Sequence, residues 1–415
     1  MLNFLRIKLK RLFDQEIDGN TYRKIQAFHM RIDNLCTVLG LNLLRDDFKP
    51  DIRTVISVFL ASITFFFFIF TQVFYYKQGK YLEAFLVFTY IGIDIQSLAK
   101  LYFSYTNKRL LYDMGQKLIQ IHGKYQTDVE RRKILNICYN RCDKIFKVFT
   151  FLYINAFIGL LSFPLLIYIF DHRNVTMFIQ LTLPGFTSGS KMAYTVNMIY
   201  QFVVMCYATM GLMAVDIMFM CVTAHYVCLC DLFEVSLKEI SRELRYDGDS
   251  DYKKRIKFMM RNIILEHEYM MIFLNDQDDL YTNICFFEIF ATNFTCVALL
   301  FVETFKFWFP GYSIGLAAFI QFLLFCAVGT VIEIANEKTV TAIYEIPWYC
   351  FSKERALEFL IMFKKAQNPN YLSIGGLAPL TVATAKEIIN KMYSYYMMFL
   401  SFIDEKAVEK LLNDA

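Results

Sequence analysis

The stretch IRTVISVFLASITFFFFIFTQVF, residues 52–74, decides the fold class. Its one charge is Arg53, at the very start, and it contains neither Gly nor Pro. At 1.5 Å per residue, about 20 apolar residues carry a helix across a hydrocarbon core of about 30 Å. Within that core no water can satisfy backbone groups, so a lone crossing segment has to be helical. The quoted run has the required length and composition.

Six more stretches read the same way: approximately Leu82–Ser104, Phe146–Phe170, Thr195–Val227, Ile284–Lys306, Ser313–Ala335 and Leu380–Phe402. The fourth crossing, Thr195–Val227, is longer than a bilayer needs and is expected to tilt or to continue as helix beyond it. The 415 residues are 56% hydrophobic, 17% aromatic and only 20% charged. An ordinary soluble domain carries about 25% charged residues. With 43 Phe against 7 Pro, the composition excludes disorder and a turn-rich β fold. A formal net charge of +4, evenly spread, offers no nucleic-acid surface. The predicted class is an all-α membrane protein with seven transmembrane helices.

Loop lengths alternate. Residues 105–145, 228–283 and 336–376 are long, charged and helix-patterned, whereas Tyr75–Tyr81, Asp171–Tyr194 and Trp308–Tyr312 are short. The first fifty residues show no cleavable leader, only an amphipathic pattern of Leu2, Leu5, Leu9, Leu12 and Phe13 that suits an interfacial helix. A cytoplasmic N-terminus places every long loop inside and, with an odd number of spans, the C-terminus outside. Lys and Arg at the inner span ends favour this orientation moderately. The sequon Asn174-Val175-Thr176 then lies in the second outer loop, a candidate glycosylation site, while Asn293 falls in mid-span. The organisation expected is a cytoplasmic region over 1–51, helices 1–6 with a ligand pocket over 52–335, a cytoplasmic anchor over 336–379, and a final helix with a short outer tail over 380–415. In the inner loops, Cys228–Tyr246 and Tyr252–Leu280 read as amphipathic helices joined at Asp247-Gly248-Asp249, a helical layer under the membrane.

Catalytic signatures are absent: there is no P-loop, no HExxH, no GxSxG and no paired CxxC. The five His are scattered, and Cys138 with Cys142, or Cys228 with Cys230, read as ordinary helical thiols, so neither a cofactor nor a metal is expected. An odd count of eleven Cys proposes no disulfide framework. Ionisable residues inside spans are Asp94, Lys100, Asp216, Glu288 and Glu333, for which buried pairing or snorkelling is the simplest account.

The last span differs from the rest. Thr381, Thr384, Lys386, Glu387, Asn390, Lys391 and Ser394 make its first half too polar for lipid, and Tyr395–Phe402 is apolar and bulky. A polar half leading to an apolar collar suits a pore lining with a hydrophobic gate, built from several subunits. A polar seam buried against neighbouring helices is the structural alternative. Candidate pocket residues in the outer halves of the spans are Phe85, Phe88, Ala156, Gly159, Phe163, Tyr200, Val204, Tyr207, Phe319 and Leu323. Small residues beside aromatics can leave room for an apolar ligand, although ordinary packing explains each of them singly.

The run Ala342-Ile343-Tyr344-Glu345-Ile346-Pro347-Trp348-Tyr349, with Arg355, Leu360, Met362, Gln367, Pro369, Leu372 and Gly376 after it, resembles the insect odorant-receptor signature that follows the sixth span. Tyr393-Ser394-Tyr395 followed by Phe399-Leu400 is similar to that family's closing motif. The resemblance implies a ligand-gated, non-selective cation channel of four subunits. In it a tuning subunit binds a small volatile, and co-receptor subunits complete one central pore for cations across the lipid bilayer. By position, it also implies gate residues at Met398, Ser401 and Phe402, with Lys391 and Ser394 lower on the same helix, and a plasma-membrane location in a sensory dendrite. Related gustatory receptors carry Gln-Phe where this chain has Ser401-Phe402, and the co-receptor carries a long insertion in the second inner loop that this chain lacks. The first favours the odorant over the gustatory type, and the second points to a tuning subunit and not the co-receptor. A homomeric gustatory-type channel and a transporter are the alternatives, the latter requiring a repeat symmetry that is not visible here.

Overall fold

The computed structural model describes residues 21–38, 40, 51–125, 127–170, 177–187, 190–245, 251–305 and 308–401. Described residues form helices almost throughout: α1 (Thr21–Val38), α2 (Ile52–Lys77), α3 (Tyr81–Thr106), α4 (Lys108–Lys124), α5 (Val129–Phe170), α6 (Lys191–Leu244), α7 (Tyr252–Phe305), α8 (Phe309–Tyr344), α9 (Lys353–Ala366) and α10 (Val382–Ser401). A 3₁₀ turn at Trp348–Cys350 and a small antiparallel ladder of β1 (Ser373–Ile374) and β2 (Ala378–Pro379) complete them. Among these, six helices (α2, α3 and α5–α8) are long and apolar enough to cross a membrane. The seventh expected crossing corresponds to α10, whose polar first half keeps it below that mark.

Local chemistry places several boundaries. Asp51 caps α2: its carboxylate accepts the Ile52 N–H at 2.6 Å, and Thr54 Oγ1 accepts the Asp51 N–H at 3.3 Å. Ser190 caps α6 by accepting the Ala193 N–H at 3.2 Å. Pro310 in the first turn of α8 costs no intrahelical bond there. Gly375 and Gly376 both have positive φ, which the tight turn between β1 and β2 requires.

The inner-loop helices are continuations of the crossing helices, as the excess length of the fourth span allowed. One uninterrupted helix, α6, covers the fourth span and runs on to Leu244, and α7 joins Tyr252–Leu280 to the fifth span without a break. Periodicity alone does not place the joins, because an amphipathic segment and an apolar one share the same 3.6-residue turn and no Gly or Pro stands between them. The Asp247-Gly248-Asp249 turn, the amphipathic N-terminal stretch, Asn174 and Phe402 lie outside the described residues.

Two apolar cores result. The larger lies at the end where α5–α8 extend and α1, α4 and α9 pack; it centres on residues such as Phe28, Met114, Phe219, Phe233, Phe273 and Phe325. The smaller lies at the end of the short loops, around Phe68, Leu86, Tyr90, Met205, Val302 and Trp308. All eleven cysteines are free thiols.

Candidate ligand-binding cavity

Within the smaller core is a cavity of about 190 Å³, bounded by α2, α3, α5, α6 and α8. Its walls are mostly apolar: Phe68, Ile93, Phe157, Leu160, Met205, Leu212, Ile314, Ala317 and Ala318. A cavity of about 150 Å³ in a protein core is enough to hold benzene, so this one admits a single-ring molecule. A narrower recess of about 50 Å³ adjoins it, sharing Thr64, Asp94, Ser97, Val204, Ala208 and Leu212. The wider cleft of about 680 Å³ at the long-helix end is lined by Lys124, Arg131 and Glu266, a charged setting unsuited to an apolar guest.

The segment 177–187 roofs the cavity, and Ile179 lines it. Irregular backbone at such a site needs every polar group answered, and two side chains of α6 supply most of the partners. Gln201 Oε1 accepts the Ile179 N–H at 3.2 Å, and its Nε2 donates to Leu181 O at 2.8 Å. Asn197 Oδ1 accepts the Leu183 N–H at 2.8 Å, and its Nδ2 donates to Phe186 O at 3.1 Å. From α2, Thr71 Oγ1 accepts the Thr182 N–H at 2.9 Å. Residues 177–187 are therefore a roof fastened to two helices.

Polar groups are few and grouped. Lys100 reaches Asp216 at 2.5 Å and Glu288 at 2.7 Å, and all three side chains are buried. Tyr153 and Gln321, both on the cavity wall, donate to Asp216 Oδ2, Gln321 at 2.7 Å. Lys100 Nζ also stands 5.6 Å from the centre of the Phe325 ring. Three of the five in-span ionisable residues thus form one buried triad; Glu333 is exposed, and Asp94 stands on the cavity wall. Asp94 Oδ2 and the Tyr90 hydroxyl, one turn apart on α3, are buried without a hydrogen-bond partner. Orphaned buried polar atoms are rare, and on a cavity wall they are the atoms a guest can satisfy.

Of the residues expected to line the pocket, Ala156 and Val204 do so, and Tyr207 lines the adjoining recess. Six others, Phe85, Phe88, Gly159, Tyr200, Phe319 and Leu323, do not border the cavity. Phe85 packs on Phe301 and Phe88 on Phe294, in the α3–α7 contact. The Tyr200 hydroxyl is held by Thr64 Oγ1 at 2.8 Å. Gly159 is not among the lining residues, and a Cβ there would meet nothing within 4 Å. Phe319 packs on the larger core, Leu323 is 37% exposed, and the Phe163 side chain lies outside the described residues. Sequence reading missed Tyr90, Tyr153 and Gln321 as wall residues. Asp94 had a signal, its charge within a span, but its pairing state was open.

On α10, Ala385 and Met392 are buried, and Met392 packs with Cys296 and Val297 of α7. Lys391, Ser394, Met398 and Ser401 are all exposed. Their spacing of 3, 4 and 3 puts them on one helical face.

Residues 80–393 match the family model described as 7tm odorant receptor. The chain belongs to that family. Putative odorant receptor 83c of Drosophila melanogaster is 23% identical to this receptor over 409 residues, 93% of this chain and 98% of that one. Odorant receptor 10 of Aedes albopictus is 24% identical over 177 residues, 40% of this chain and 46% of that one. Among solved structures, the olfactory receptor OR5 of the insect Machilis hrabei in complex with eugenol superposes with a TM-score of 0.77 at 16% identity, covering 92% of this receptor and all of that chain. The same receptor solved without mention of a ligand gives 0.74 at 18% identity, over 92% of this chain and 99% of that one. The receptor is thus a multi-pass helical membrane protein of the odorant-receptor fold, and its family is not an enzyme family.

Proposed function

We propose that this receptor is the odorant-binding subunit of a heteromeric, odorant-gated, non-selective cation channel. In this reading it sits in the plasma membrane with its N-terminus cytoplasmic and its C-terminus outside, so the roof 177–187 belongs to the outer surface. The roofed cavity carries the proposal: it is apolar, of single-ring size, and offers two unsatisfied polar atoms at Tyr90 and Asp94. The guest it fits is a small neutral molecule, aromatic or aliphatic, bearing one oxygen function. A charged guest would have to leave water for walls that are mostly apolar, with the Asp94 carboxyl as its one acidic partner. A receptor of the same fold has been solved with eugenol, a small oxygenated aromatic, which supports that ligand class here.

The wall residues Tyr153 and Gln321 bind the same carboxylate that pairs with Lys100, so a guest touching them acts on the buried triad. The triad ties α3, α6 and α7 together, and α10 packs on α7. A single α10 cannot enclose a pore, and the exposed face of Lys391, Ser394, Met398 and Ser401 suits a lining shared with co-receptor subunits. Current recordings from cells expressing the chain with an odorant co-receptor, against a panel of neutral volatiles, test the reading. Ligand-evoked cation current that requires both chains is expected. Current from this chain alone would make it a homomeric channel of gustatory type. Silence toward every volatile in cells with surface-expressed receptor would remove the ligand class.

A further inference from the structure

At the long-helix end, residues far apart in sequence converge on a cluster that the ligand cavity does not use. His122 of α4, Cys138 of α5 and His225 of α6 are all buried, and each offers one donor atom within 4.8 Å of the others. His122 is 0% exposed, and neither of its ring nitrogens has a hydrogen-bond partner. His225 Nδ1 lies 2.7 Å from Cys221 O, the carbonyl one turn earlier, which makes Nδ1 the protonated nitrogen. Nε2 then carries the lone pair, and it too is buried without a partner. Metal-binding imidazoles are commonly oriented in this way, by one ring N–H held on a backbone carbonyl.

We propose that His122, Cys138 and His225 form a zinc site that fastens α4, α5 and α6 together. The donor set is borderline to soft, suiting zinc rather than magnesium or calcium, whose ligands are oxygens. Zinc bonds of about 2.0–2.3 Å place tetrahedral ligands about 3.5 Å apart. From separations of at most 4.8 Å, the donors therefore close by roughly 1 Å, within reach of side-chain rotation. Cys142, one turn after Cys138 on α5, has its Sγ 3.7 Å from His225 Nδ1, the protonated side of that ring, and would have to turn toward the three donors to serve as a fourth ligand. Two thiolates and two neutral imidazoles would balance the charge of Zn²⁺, which a buried site requires. Each ligating thiol gives up its proton as the zinc–sulfur bond forms, and no oxidant or reductant takes part. The cavity residues Val204 and Leu212 lie on the same α6 as His225, at least 13 residues away, or about 20 Å along the helix axis. The site is therefore separate from the ligand pocket and braces the other end of the same helix.

The test uses the full-length chain purified alone in detergent with a phosphine reductant, dialysed against zinc and passed over a chelating resin. The expected zinc content is about one per chain, falling at least about tenfold in Cys138→Ser and in His122→Gln. Exposed Cys350→Ser should leave it unchanged. Cobalt in place of zinc should give a thiolate charge-transfer absorption that added zinc abolishes. A wild-type chain with no stoichiometric zinc and no such absorption overturns the proposal, as does a folded Cys138→Ser chain that keeps the full zinc content. Where the Cys138 variant does not fold, the wild-type cobalt spectrum decides: the thiolate band sustains the site, and its absence removes it.

Discussion

Lys100 of α3 and Asp216 of α6 meet at 2.5 Å in the middle of the helix bundle, with side chains 2% and 0% exposed, and Glu288 of α7 closes the group at 2.7 Å from the same ammonium. Two carboxylates answered by one cation, with Tyr153 and Gln321 donating to the first, are stable only while Lys100 is present. Removing one partner of a buried ion pair destabilises a protein by about 3–5 kcal/mol, since the other charge is left unanswered. Lys100→Met is therefore expected to lower the thermal midpoint of the detergent-purified receptor and to cut surface expression sharply. The double variant Lys100→Met with Asp216→Asn should recover part of both. A single variant as stable as wild type would show that the triad does not hold the bundle.

The cavity wall sets the second expectation. Ala208 borders both the main cavity and the adjoining recess. A phenyl ring there occupies the space of the guest, and overfilling of this kind costs about 1–3 kcal/mol. Ala208→Phe should weaken responses at least about tenfold, since 1.4 kcal/mol is a factor of ten. Gly159→Leu should leave responses unchanged, because Gly159 does not line the cavity and a side chain there meets no neighbour. Concentration–response curves at matched surface expression check both, and the opposite ranking would relocate the ligand.

Tyr90 and Asp94 supply the third. Leaving a buried donor or acceptor without its partner costs about 1–3 kcal/mol, and the orphaned Asp94 oxygen is an acceptor that this wall offers a hydroxyl. For an agonist bearing a hydroxyl, Asp94→Asn should raise the half-maximal concentration about 10- to 100-fold. The methyl ether of the same agonist, having no proton to donate, should be affected much less. Equal losses for the pair would mean that Asp94 serves the fold and not the guest.

For the pore, cysteines at Lys391, Ser394, Met398 and Ser401 should react with a thiol reagent and block current, whereas one at Met392 should not. Met392 is buried on α7, while the four others share the exposed face of α10. Co-receptor side chains in the same pore would dilute the block, so partial inhibition on the one face and none on the other is the expected pattern. Insensitivity of both faces would make α10 a packing helix.

Gly329 carries the fifth prediction. A Cβ there would collide with the Leu380 carbonyl oxygen, just where the chain turns into α10. Thr330 Oγ1 accepts the Val382 N–H at 2.9 Å at the same junction. Gly329→Ala must push the start of α10 away from α8, with a stability loss of about 1–3 kcal/mol. Altered basal current or loss of ligand gating, at preserved ligand binding, would show that this contact sets the position of the pore helix. Wild-type gating would show that the junction yields without consequence.

Helix class, the six strongly apolar crossings and the distinct character of the last helix were legible in residues 52–402, because hydrophobic length and local polarity are properties of contiguous sequence. The family was legible too, in the run from Ala342 to Tyr349, where α8 ends and a 3₁₀ turn begins. What the chain could not declare was anything made by residues distant in sequence. That Lys100 answers Asp216 and Glu288, that Asp94 remains unpaired on a cavity wall, and that Phe85 and Phe88 serve the α3–α7 contact all depend on helix rotation and crossing. Periodicity leaves these undetermined, since a crossing helix is largely apolar all round and shows no single apolar stripe to mark its buried face. His122, Cys138 and His225 show the same limit: no ligand spacing links them along the chain, and only the packing of α4, α5 and α6 brings their donor atoms together. Sequence determined which segments cross and what they are made of; tertiary packing alone decided which side chains meet, because contact is set by the relative rotation of helices and not by order along the chain.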